Sequence, residues 1–381
     1  MNDLTAASIA PIAPSDVPIR PERYYRPELD VLRFSAFLMV FCAHVIPTNQ
    51  SSPRWLSALG NAAGFGAVAT FFALSAYLIT ELLMIEKRSC GTVDVKAFYI
   101  RRILRIWPLY FAVLLGGFLI SHLHSAWAIP GRGLLAYLFL AGNWYTSRHG
   151  YLYAIGVLWS ISLEEQFYLV WPLILRSLSR RSLGIVCVLA WVLSQVAVVF
   201  CSALHLPVEP TIWTSSLTHL QYFALGAGLS LLLSGSVPRF HARLKIAMVG
   251  VAALLFFFAN FMFEQHITQD SSLAETCSAF LILGAGTALL LTGFVGNPVF
   301  QGSRRARYLG KISYGLYVFH LPCLMLVWHL TRSRFGEESP LVALLIGLPL
   351  TILIAWASYK YFESPWLRLK QRFEIVGSRT V

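Results

Sequence analysis

LLAYLFLAGNW (Leu134–Trp144) is an apolar run of eleven residues. Whether it crosses a membrane sets the orientation of everything that follows it. A transmembrane helix needs about 20 apolar residues, and this run stops at Asn143-Trp144. Ten longer runs lie near 32–47, 65–84, 106–121, 155–175, 183–204, 216–233, 246–263, 274–294, 312–330 and 340–358. With those ten as spans, both termini cytoplasmic and 134–144 not crossing, 25 of the 30 Lys and Arg residues fall in cytoplasmic segments. Counting 134–144 as a span would put Arg176, Arg180 and Arg181 outside and invert every later loop. The positive-inside rule therefore selects ten transmembrane helices plus one short re-entrant or interfacial segment. The chain shows no internal repeat of the kind that builds many transporters.

Composition agrees with this all-α integral membrane fold. Of 381 residues, 57% are hydrophobic and only 13% charged, against about 25% charged in a soluble domain. The net charge of +12 is spread over several short loops, which reads as membrane topology and not as a nucleic-acid surface. Six cysteines are scattered, mostly through apolar runs without metal-ligand spacing, and read as packing. No metal site is expected. The first 26 residues lack the apolar core of a signal peptide and read as a disordered cytoplasmic tail. The protein is expected in the plasma or inner membrane as a multi-pass chain.

Several polar groups do not belong in lipid. Arg33 and His44 stand eleven residues apart on one face of the first span, about 16 Å along its axis. Glu164 and Glu165 sit inside the fourth span. Tyr314, Tyr317 and His320 share one side of the ninth. Counted at 1.5 Å per residue, His44, Glu164 and His320 reach similar depth, where ionisable groups are costly and mark function. A proton pathway in a transporter needs the same groups, so depth alone leaves enzyme and transporter open. Arg101, Arg102 and Arg105 lead into the third span from the cytoplasmic side. Arginine forks onto phosphate oxygens, so a phosphate-bearing ligand is expected to dock there.

These residues resemble the membrane-bound acyltransferase-3 family from about Tyr25 to Trp366. Arg26–Arg33 continuing to His44 resembles its Arg-x10-His motif. Phe71–Thr80 is similar to its second-span motif, with Ala76 where glycine is usual. Arg102-x-x-Arg105 with Pro108 resembles its Arg-x-x-Arg motif. Trp159–Phe167 is similar to Trp-Ser-Leu-x-x-Glu, with Ile161 for leucine. Leu309–His320 and Tyr361–Pro365 resemble the late motifs. Six such blocks in order are specific.

The resemblance implies an acyl donor, cytoplasmic acyl-CoA and most simply acetyl-CoA, and a hydroxyl acceptor on a sugar or glycan. It implies His44 as the catalytic histidine with Arg33 beside it, Glu164 as an essential carboxylate, and Arg102 and Arg105, with Arg101 adjoining, on the CoA phosphates. His44 would act as base and Glu164 would orient it; a covalent acyl-histidine is the other route. Arg33, too far along the helix to touch His44, would meet the phosphates or the pantetheine entrance. Tyr314, Tyr317, His320 and Glu165 are expected along the acceptor route. The membrane domain is expected over 27–366 with a cytoplasmic tail at 367–381, in a stand-alone form without the extracytoplasmic esterase-like domain of some members. The alternative, a proton-coupled transporter or flippase of a glycan or small metabolite, predicts flux that does not depend on acyl-CoA.

Overall fold

The computed structural model describes residues 24–46, 52–122, 127–152, 155–263, 272–335 and 339–377. Most of the expected N-terminal tail, residues 1–23, lies outside the described residues. In chain order come α1 (Pro27–Val45), α2 (Arg54–Cys90), α3 (Val95–Ser121), α4 (Gly131–Leu138), α5 (Gly142–His149), α6 (Leu158–Ser177), α7 (Arg180–Ala203) and α8 (Ser216–Leu233). They continue with α9 (Ala242–Phe263), α10 (Leu273–Phe294), α11 (Arg304–Lys311), α12 (Ser313–Phe335) and α13 (Pro340–Gln371). No strand occurs among the described residues.

Local chemistry sets the helix ends. Pro27 opens α1, with Glu28 and Asp30 in its first turn, where acids meet the positive end of the helix dipole. Asp94 caps α3 by accepting from the Ala97 N–H at 2.9 Å, and Ser179, Ser272 and Ser303 cap α7, α10 and α11 in the same way. α2 stops at Gly91, whose φ of +73° places it in the left-handed region that terminates helices.

Among the described residues, eight helices are long and apolar enough to cross a membrane: α2, α3, α7, α8, α9, α10, α12 and α13. Two expected spans, α1 and α6, fall outside that set. α1 carries Glu28, Asp30 and Arg33, and α6 carries Glu164, Glu165 and Gln166, so these two helices give up apolar character to the candidate site. The segment 134–144 divides between α4 and α5 at Phe139–Ala141, where Leu140 takes φ +56°. Each of these helices is about 12 Å long, too short to span.

Hydrogen bonds pin α5 inside the bundle. Asn143 is fully buried and donates to the Thr214 carbonyl at 3.1 Å and to Ser216 Oγ at 2.9 Å. Gln166 donates to Asn143 Oδ1 at 2.9 Å and accepts from Ser216 Oγ at 2.6 Å. The network closes on itself, which buried polar groups require.

α2 is the central column, packed against α1, α6, α8, α9 and α10. At Gly226 of α8 a Cβ would stand 1.9 Å from the Ala73 carbonyl oxygen, and at Gly310 of α11 it would stand 1.8 Å from that of Asp30. Only glycine permits these backbone approaches. Toward the outside, α7 presents Ile185, Val188, Leu189, Val192, Val196 and Phe200, all exposed, a stripe suited to lipid.

α1 and α2 differ in length, and this places His44. Gly64 of α2 lies against Ala43. α2 thus continues for about ten residues, about 15 Å, past the point where α1 ends. His44, one residue from that end, is exposed. The first and last described residues meet at the opposite end of the bundle, where the Tyr24 N–H donates to the Gly377 carbonyl at 2.9 Å.

Candidate functional site

At the end where Tyr24 meets Gly377, α1, α2, α3, α11 and α13 enclose a chamber whose lining includes Arg33, Arg101, Arg102, Arg105, Lys311 and Lys370. Three carboxylates share the lining: Asp30, Glu86 and Glu374. Each is already engaged. Asp30 pairs with Arg33 at 3.5 Å, Glu86 with Arg101 at 3.1 Å and Glu374 with Lys370 at 2.6 Å. Arg102, Arg105 and Lys311 have no carboxylate at ion-pair distance among the described residues. Arg102 is held between the Phe98 and Tyr168 rings, 5.3 Å from each centroid, with its Nε buried and unpartnered. Lys311 stands 5.3 Å over the Tyr359 ring. Burial, and then the neighbouring Arg105 charge, lower its pKa from the ordinary lysine value. A chamber that gathers cations without a carboxylate at ion-pair distance suits a polyanion.

A narrower slot continues inward from the chamber. Arg33, Ser75, Arg102, Arg105 and Tyr168 line both spaces, and Ser160, Glu164, Tyr314 and Tyr317 line the slot beyond them. Glu164 accepts from the Tyr168 hydroxyl and from Ser75. Tyr314 donates to the Ile106 carbonyl at 2.9 Å, and Tyr317 shares a hydrogen bond with Ser160 at 2.7 Å.

Past Tyr317 stand the histidines. His320 is fully buried, its ring centroid 5.7 Å from that of Tyr317 and 5.0 Å from that of His44. His44 Nδ1 lies 2.9 Å from the Val40 carbonyl, and His320 Nδ1 lies 2.6 Å from the Tyr317 carbonyl. A carbonyl oxygen only accepts, so each Nδ1 carries the proton and each Nε2 keeps its lone pair.

The structure thus brings nine of the ten expected residues into one continuous series. Arg33, Arg102 and Arg105 line both spaces, Arg101 lines the chamber, Glu164, Tyr314 and Tyr317 line the slot, and the two histidines stand beyond. Glu165 lines neither cavity; its Oε2 accepts from Trp107 Nε1 at 2.8 Å. Arg101 is committed to Glu86 and to the Phe373 carbonyl at 2.8 Å. Glu164 and His44 share no hydrogen bond among the described residues; the ring beside His44 is His320. Lys311 and Lys370 are not among the expected site residues. Lys311 stands inside the Leu309–His320 block and Lys370 five residues past Tyr361–Pro365, and that placement is the signal in the sequence.

This is a helical membrane protein with a basic chamber and, beyond the slot, a pair of histidines. The chain belongs to the acyltransferase-3 family, matching its acyltransferase domain over residues 26–360. O-acetyltransferase OatA of Staphylococcus aureus strain NCTC 8325 is 28% identical over 364 residues, as is the same-named protein of strain COL. The SAS0844 protein of strain MSSA476, provisionally named an O-acetyltransferase, is 27% identical over 369 residues. Each alignment covers 90% of this chain and 57% of the relative, so the chain spans little more than half the length of these proteins. No solved structure matches.

Proposed function

We propose that the protein is an integral-membrane O-acyltransferase that moves an acetyl group from acetyl-CoA to a hydroxyl of a sugar or glycan. The observation that carries this reading is the set of cations without a carboxylate at ion-pair distance, Arg102, Arg105 and Lys311, at the mouth of a slot that leads toward two histidines. We take the chamber end as cytoplasmic, with ten spans and both termini on that side, because the Lys and Arg residues concentrate there. The named activity of the relatives supports the same chemistry.

The donor's phosphates bind Arg102, Arg105 and Lys311, and Arg33 guards the entrance to the slot. The thioester-bearing arm then threads along Ser75, Glu164 and Tyr317 toward the histidines. Phosphates anchored at one end fix the reacting carbonyl at the other, so binding energy serves orientation. His44, with Nδ1–H committed to Val40, offers Nε2 as the base for the acceptor hydroxyl. That oxygen attacks the thioester carbonyl, and the tetrahedral oxyanion collapses with loss of the thiolate. Glu164 holds Tyr168 and Ser75 in place, and Tyr168 holds one face of Arg102. In this arrangement its carboxylate shapes the slot and does not orient His44.

The test is acetyl-CoA binding and slow hydrolysis by the detergent-purified protein. Arg102→Ala/Arg105→Ala is expected to abolish binding, and His44→Ala to keep binding and lose turnover. Wild-type protein that neither binds nor hydrolyses acetyl-CoA or longer acyl-CoAs would refute the enzyme and favour a transporter.

A further inference from the structure

His320 stands between two differently exposed groups. On one side is Tyr317, which lines the donor slot, at 5.7 Å between ring centres; on the other is His44, at 5.0 Å. His44 is exposed at the end of α1, while His320 is fully buried. His320 Nε2 has no hydrogen-bond partner among the described residues, although its Nδ1 is firmly held by the Tyr317 carbonyl. A buried ring nitrogen with a free lone pair is costly unless something uses it. An imidazole nitrogen lies about 1 Å from its ring centre, so the two Nε2 atoms are no more than about 7 Å apart, one or two hydrogen bonds.

We propose that His44 and His320 form a directional proton relay, with His44 taking the acceptor's proton and His320 delivering it to the departing thiolate. This rests on the acyl-transfer reading above and adds the route of the proton. The acceptor O–H bond breaks as its proton joins His44 Nε2, and the oxygen forms its bond to the acyl carbon. The proton passes from His44 Nε2 to His320 Nε2. The C–S bond breaks, and His320 gives the proton to sulfur, forming the thiol. Both histidines return to their neutral forms and no net proton is taken up. Two neighbouring imidazoles resist carrying two positive charges in a low-dielectric interior, so a proton arriving on one is readily handed on. A thiolate expelled into the apolar slot needs that proton, because an unpaired buried anion is strongly disfavoured.

The relay is tested with two donors whose leaving groups differ. Acetyl-CoA releases a thiolate that requires a proton; p-nitrophenyl acetate releases a phenolate that leaves without one. His320→Asn keeps a donor where Nδ1 meets the Tyr317 carbonyl and removes Nε2. His320→Gln places an amide near Nε2 that cannot accept a proton. The relay predicts that both variants raise the ratio of p-nitrophenyl acetate to acetyl-CoA turnover at least tenfold over wild type. His44→Ala slows both donors and leaves the ratio near that of wild type. Equal slowing of the two donors by both His320 variants assigns His320 a structural role and overturns the relay. Wild-type acetyl-CoA turnover in His320→Gln overturns it too, since hydrogen bonding alone would then suffice. Wild-type protein that turns over neither donor overturns the acyl-transfer reading itself.

Discussion

Arg101 and Arg102 are adjacent, identical in type and on the same chamber wall, yet their loss should be felt in different measurements. Arg102 has no carboxylate partner and an unpartnered Nε. Truncating it to alanine costs the empty protein its contacts with the Phe98 and Tyr168 rings and its electrostatic interaction with Glu164 and Glu165, but breaks no ion pair. Its charge-assisted hydrogen bond to a phosphate is worth about 1.5–3 kcal/mol, which corresponds to a donor Kd raised about 10- to 150-fold. Arg101 is bound at 3.1 Å to Glu86, whose side chain is 2% exposed. Arg101→Ala strands that carboxylate, at a cost of about 3 kcal/mol of stability, and releases the Phe373 carbonyl as well. Equilibrium binding of labelled acetyl-CoA, run beside thermal unfolding in the same detergent, separates the two effects. Arg102→Ala should bind weakly and melt almost normally; Arg101→Ala should melt early and, where folded, bind within a few-fold of wild type. If Arg101→Ala melts normally and binds as poorly as Arg102→Ala, the division between structural and ligand-binding arginines is wrong.

Two further outcomes follow from single residues. Burial and Arg105 lower the Lys311 pKa, so donor affinity should fall as pH rises at values below the ordinary lysine pKa of about 10.4. The empty protein should gain stability over the same window, because the unfolded chain holds that proton longer. Donor titrations from neutral to alkaline pH should lose this slope in Lys311→Gln, and an unchanged slope would remove Lys311 from the donor site. Gly226→Ala forces α2 and α8 apart, since its Cβ would stand 1.9 Å from the Ala73 oxygen, and should destabilise by about 1–3 kcal/mol. At Gly228 an added Cβ would meet Cys187 Cβ at 3.9 Å, an ordinary van der Waals contact, so Gly228→Ala should melt like wild type; equal melting of the two variants refutes the close-approach argument.

Much of the bundle was legible because lipid imposes one demand over many residues. Long apolar runs, short loops and clustered Arg and Lys are signals summed over whole segments, and α7 or α10 could scarcely be read otherwise. That Leu134–Trp144 is too short to span followed from length, but its break into α4 and α5 and the pinning of Asn143 by Gln166, Thr214 and Ser216 did not, because those partners come from distant segments. The same limit applies in the site. Arg101 and Arg102 look alike in sequence, and Glu86, which separates their fates, lies on a different helix. Glu164 was expected beside His44 because both are deep; depth fixes position along a helix axis but not which faces meet. Lys311 and Lys370 read as ordinary loop charges until α11 folds against α1 and the end of α13 against α3.

The unequal lengths of α1 and α2 bear on how this protein avoids becoming a leak. A cavity entered from one end and a histidine exposed toward the other approach each other around Tyr317, His320 and His44, so insulation across the bundle narrows there to a few side chains. Phe37, packed edge-on against His320 at 6.2 Å, and the fully buried Phe41 supply apolar mass at that neck. On our reading, an acyl group and a proton are small enough to pass such a constriction, while CoA and a glycan each remain in their own compartment. The reaction then needs no alternating opening and closing of the bundle, and ions find no continuous file of water to follow.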